Sequence, residues 1–136
     1  MSMRRAAPLI ALLLLLDGCS VRADMHDVAM KTARFHALLN GGKFGQIVAE
    51  SPSLSWPAHG PAFKDYLAAV HRKLGYCGQT RLINFHESFG PHGTTMLQAR
   101  THCDRDDAIE SFVFTGRGKD LSLQHYAITS PVLVAS

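Results

Sequence analysis

No stretch of this 136-residue sequence approaches the twenty or so consecutive apolar residues that a membrane-spanning helix needs. The one concentrated apolar stretch, Pro8 to Leu16, is nine residues long, which is too short to hold in a bilayer as a helix. Charged residues are sparse at 18%, against roughly 25% in an average soluble domain, and the formal charge is only +3. Without residues 1 to 18 the net charge falls to +2, which is too weak to imply a nucleic-acid partner. A nucleophile elbow, a phosphate-binding loop and a tandem cysteine motif are all missing. Cysteine is scarce, with three residues, and neither Cys77 nor Cys103 has a second Cys or His at the short spacing of a zinc cluster, so neither a metal nor another cofactor is expected. The length allows one domain and leaves little room for another.

What is present begins with an address. Arg4 and Arg5 precede the apolar stretch, and Asp17, Gly18, Cys19 and Ser20 follow it, which is the three-part layout of an export signal. The ending Leu16-Asp17-Gly18-Cys19 resembles the lipobox of bacterial lipoproteins, and the resemblance implies that Cys19 becomes a lipidated N-terminus. Asp17 departs from the small uncharged residue usual at its place, which leaves ordinary signal-peptidase cleavage nearby as the alternative. Ser20 lacks the aspartate associated with inner-membrane retention, so in a Gram-negative cell the resemblance implies the outer membrane, facing the periplasm. The expected division is 1–18 signal peptide, 19–24 tether and 25–136 a single domain. Two or three acyl chains would hold such a domain at the membrane durably, at about 0.8 kcal/mol per buried methylene.

Assigning Cys19 to lipid leaves Cys77 and Cys103 as a pair in an oxidising compartment. A disulfide between them closes a loop 26 residues long, with a chain-entropy contribution of roughly 3.5 kcal/mol. The alternative is two buried free thiols.

The remaining chain reads as helices followed by strands. Asp24 or Asp27 can cap a helix whose positions Val28, Phe35, Leu38 and Leu39 share a face, and Asn40-Gly41-Gly42 ends it. A short helix over Phe44 to Ala49 follows, and Gly60-Pro61 opens a third with Phe63, Leu67, Val70 and Leu74 on one side. Beyond Gly78 the period changes to two, which predicts strands over 79–89, 94–103, 108–115 and 121–130 joined by hairpins. Leu97, Ala99, Thr101 and Cys103 then share the core face of the second strand. If Phe89 pairs with Thr94, Cys103 lies opposite Thr80, and a bend at Gly78 closes the remaining distance to Cys77.

The segments Leu38-Leu39-Asn40-Gly41-Gly42-Lys43-Phe44, Arg72-Lys73-Leu74-Gly75 and His125-Tyr126-Ala127-Ile128 resemble a group of small exported bacterial proteins of unassigned function. Their domains are similar to the cystatin-like and nuclear-transport-factor-two-like superfamily. The resemblance covers roughly residues 28 to 130 and implies an α+β roll, in which N-terminal helices pack on a curved four-stranded antiparallel sheet. Enzymes on that fold work in the cone between helices and sheet, with a buried acid or imidazole and a tyrosine. Here Tyr66, His86, Glu87, His125 and Tyr126 are the titratable groups that could face the cone, and no catalytic residue is carried across by motif.

The most distinctive surface feature is the loop Glu50 to Gly60, where Leu54 and the single tryptophan, Trp56, lie among prolines. Both are candidate partner-binding residues, since Trp is enriched where binding energy concentrates; the competing account is that Trp56 plugs the open end of the sheet. Three functions compete. The preferred one is a non-enzymatic, lipid-anchored envelope domain that binds an envelope or secreted protein, including an immunity or inhibitor role. The others are a carrier holding a small apolar ligand in the cone, and a small isomerase or hydrolase.

Overall fold

In a computed structural model of the chain, residues 9–55, 57–88 and 93–134 are described, with side chains from Asp24 onward. The order is α1 Leu9–Asn40, α2 Phe44–Ala49, α3 Pro61–Leu74, β1 Cys77–Ser88, β2 Thr94–Cys103, β3 Asp107–Thr115, β4 Ser122–Thr129 and α4 Pro131–Val134. The four strands form one antiparallel sheet in chain order, with β1 and β4 at its edges.

The helices stop where the local chemistry requires. At the end of α1, Gly42 has φ 70°, and the amides of Gly42 and Lys43 donate back to the carbonyls of Leu39 and Leu38, which closes the last turn with a left-handed glycine. Pro61 occupies the first turn of α3, where its missing N–H costs nothing, and Arg72 and Lys73 sit in the last turn, where cations favour the carbonyl end. The start of α1 differs from the expectation: the helix begins at Leu9 rather than at an Asp24 or Asp27 cap. Leucine and alanine are strong helix formers, and no proline interrupts the chain between Leu9 and Asn40. The expected boundaries at residues 18 and 24 therefore fall inside α1, in or beside the part whose side chains lie outside the described residues. No helix among the described residues is long and apolar enough to cross a membrane.

Helices and sheet share one core. Val28, Phe35, Leu38 and Leu39 of α1 and Phe63, Leu67, Val70 and Leu74 of α3 pack on the inward positions of β2, β3 and β4. In β4 the alternation slips between Leu123 and Tyr126, because a bulge opposite Val113 and Phe114 inserts Gln124. The Gln124 carbonyl accepts the Ser55 amide at 2.9 Å, which pins the loop after α2 to the bulge.

Cys77 and Cys103 form a disulfide. The register that brings them together differs from the expectation, since Cys103 lies opposite Cys77 itself and not Thr80. Ser88, not Phe89, pairs with Thr94, and β1 carries one extra residue between Leu82 and Asn84 and another between Cys77 and Thr80. These three one-residue offsets together replace the single bend expected at Gly78. The first hairpin turn, 89–92, lies outside the described residues.

Candidate functional site

Along β3 the inward positions are Ala108, Glu110, Phe112 and Phe114, so strand alternation drives a carboxylate into the core with two aromatic rings. Glu110 has no exposed surface. Its oxygens are met by three donors from three different elements. His36 of α1 reaches Oε1 through Nε2 at 2.7 Å, Thr101 of β2 donates to the same oxygen at 2.5 Å, and the Tyr126 hydroxyl of β4 donates to Oε2 at 2.6 Å. Burial pushes the Glu110 carboxyl up, but the hydrogen bond and charge of His36, with the Thr101 and Tyr126 hydroxyls, outweigh it and hold the group below the usual glutamate range. With the carboxylate ionised, the His36 Nε2 carries its hydrogen toward Glu110. Burial and the Glu110 charge push the Tyr126 phenol well above its ordinary value, so it stays a donor. Phe35 and Phe112 flank the Tyr126 ring, with centroids 4.5 and 5.0 Å away.

His36, and Thr80 through its bond to Thr101, bring this network to a solvent-filled cleft. A cleft of about 830 Å³ opens between α1 and the β1–β2 end of the sheet. Met25, Ala29, Ala33 and Ala37 form the helix wall, Leu82, Phe85, Leu97 and Ala99 form the sheet wall, and His36 lines it from α1. Asn40 ties the walls together at one end, since its amide donates to the Cys77 carbonyl at 2.7 Å and accepts the Cys77 N–H at 2.9 Å. From this tie the two walls diverge and leave apolar surface uncovered: Leu82 is 47% exposed and Met25 40%. The described lining residues include no Lys, Arg, Asp or Glu.

Of the residues singled out from sequence, Tyr126 is at the centre of the network, and Tyr66 packs beside it with ring centroids 6.4 Å apart. His86 is exposed and pairs with Met96, and His125 pairs with Val113, so both lie on the outer face; Glu87 pairs with Thr95 near the far end of β1. The structure corrects Leu54: it is 5% exposed and belongs to the core, because the Ser55–Gln124 bond draws the loop inward, so it is not available to a partner. Trp56 lies outside the described residues, as does the side chain of Cys19. His36, Thr101 and Glu110 were not picked out as a site. The available signal was a glutamate in phase with Phe112 and Phe114, and a histidine one turn beyond Thr32 on the buried face of α1. Among the described residues no three metal-binding side chains converge.

An open four-stranded antiparallel sheet, helices packed against one face and a cleft between them define a nuclear-transport-factor-two-like α+β fold. The solved structure of a designed protein of that kind, titled as a variant of Rd1NTF2_05, is similar, with a TM-score of 0.55 at 13% identity over 78% of this chain and 100% of that one. At that identity the likeness concerns the fold alone. No family model matches the sequence, and no curated protein matches it either.

Proposed function

We propose that this protein is an exported, lipid-anchored domain of the bacterial envelope that holds a small, largely apolar molecule in the cleft between α1 and the sheet. One observation carries the reading: an apolar-walled concavity of about 830 Å³ in a chain of 136 residues. That volume lies in the range of small-molecule sites, whose walls are likewise mostly apolar with a few polar groups. The protein-binding reading, preferred from sequence for the small size of the domain and its lack of a catalytic set, keeps only Trp56 as a candidate contact, since Leu54 is core. The carrier reading takes its place.

A neutral alkyl diazirine, photolysed with the membrane-extracted mature protein in phospholipid nanodiscs, tests the proposal. Label is expected on the peptides holding Met25 to Ala33 and Leu82 to Phe85, and Leu82→Asp should cut it at least fivefold. Label spread evenly over the surface overturns the reading. An imidazole backed by a carboxylate at the wall of the cleft favours a second reading, a small acid–base enzyme. Mass spectrometry of the extracted ligand separates the two, since a carrier returns its ligand chemically unchanged.

A further inference from the structure

The cleft has a polarity gradient, and it runs the same way on both walls. At the end tied by Asn40 and Cys77 stand His36 on the helix and Thr80 on the strand; farther from the tie come Ala33, Ala29 and Met25 on the helix and Leu82 and Phe85 on the strand. Thr80 pairs with Thr101, and Thr101 and His36 bond the same oxygen of Glu110, so these groups stand at one level of the sheet.

Most of the polar atoms along the cleft walls, Thr32 in the apolar part included, are already used by the fold. Thr32 donates to the Val28 carbonyl at 2.9 Å, Asn40 holds Cys77 with both ends of its amide, and the Thr80 hydroxyl lies 3.3 Å from those of Thr101 and from the Gly78 carbonyl. Gln79 and Tyr76 stand exposed at the rim. His36 differs. Its Nε2 is engaged by Glu110, while Nδ1 has no partner among the described residues and is not one of the side-chain nitrogens or oxygens sealed from solvent. Nδ1 is thus the ring nitrogen left to the cleft that His36 lines.

We infer that the ligand is a neutral single-chain alcohol, whose hydroxyl meets His36 Nδ1 while its apolar chain runs along Ala33, Ala29, Leu82 and Phe85. The inference rests on the carrier reading and adds the head group. A hydroxyl both donates and accepts, so it satisfies Nδ1 whether that nitrogen bears a hydrogen or a lone pair. A carboxylate head fits less well. It would bring a second negative charge to within one imidazole ring of Glu110; the one positive charge His36 can carry is already paired with Glu110, and no Lys or Arg among the described lining residues adds another.

Competition against the photolabel tests this in nanodiscs at pH 8, with dodecanol and dodecanoate compared at matched membrane concentration. Dodecanol is expected to displace the label at a concentration at least tenfold lower than dodecanoate. His36→Gln puts an amide donor where Nε2 stood and removes Nδ1, and it should weaken displacement by dodecanol about tenfold; circular dichroism and melting of the variant establish that it is folded. If the label enters the cleft and dodecanoate competes as well as dodecanol or better, the head-group inference is overturned while the carrier reading stands. If the label does not enter the cleft, both fail. If wild type discriminates and a folded His36→Gln discriminates equally, His36 is not the reader and the inference is overturned.

Discussion

A carboxylate sealed among aromatic rings is tolerated only when donors meet its oxygens, because an ion left without them loses its hydration for nothing. Glu110 meets that condition through His36, Thr101 and Tyr126, and the dependence on pH follows from it. Its folded-state pKa lies below the unfolded value, so its contribution to stability is present in full above the usual glutamate range, near pH 4.3, and is lost as pH falls through the folded value. Glu110→Gln should lower stability at pH 7 by about 3 kcal/mol, on the order of 10 °C in melting temperature, and should flatten the acid limb of the stability curve below about pH 4. Thermal melts from pH 3 to pH 7 check both, and a variant with an unchanged acid limb would show that another group titrates there. Half of this site is legible in the sequence. Thr101 falls on the core face of β2 by alternation, and Tyr126 stands out as a titratable group near the cone. The partnership of Glu110 with His36 is not legible, since 74 residues separate them and only the packing of a helix on a sheet brings an α1 ring to a β3 carboxylate.

At the scale of elements, short-range rules read well. The limits of α2 and α3, the four strands within two residues at each end, and the pairing of Cys77 with Cys103 all follow from capping, periodicity and cysteine count. Register reads poorly: Gly78 marks one offset of β1, but the extra residue between Leu82 and Asn84 and Gln124 in β4 are ordinary side chains whose displacement is set by neighbouring strands. The disulfide joins the first residue of β1 to the last of β2, and the Asn40 tie grips the same Cys77. Reduction should therefore destabilise the protein by about 2 to 5 kcal/mol. Urea unfolding with and without reductant measures it, and coincident midpoints would mean that the bond contributes nothing. Because Cys77 lines the cleft, the reduced protein should also label more weakly with the alkyl diazirine.

For the whole molecule, attachment and orientation are coupled. Cys19 precedes Met25 by six residues in the same helix, a rise of about 9 Å, so a lipid on Cys19 would set the apolar end of the cleft close to the membrane surface. Cys19→Ala should release the protein into the soluble periplasmic fraction or leave its precursor uncleaved. Fractionation and intact-mass measurement check this, and membrane-extracted wild type without acyl chains would remove the anchor from the account. Such an anchor would also confine many copies to one plane, side by side, with β1 as a twelve-residue outer strand on each. A long straight edge of that kind is a template on which a second molecule's strand can add. The offsets between Cys77 and Thr80 and between Leu82 and Asn84 interrupt its repeat twice. Neighbouring copies held in one plane would consequently find no continuous run of matching amides, so the irregularity that sets the disulfide would also oppose fibre growth.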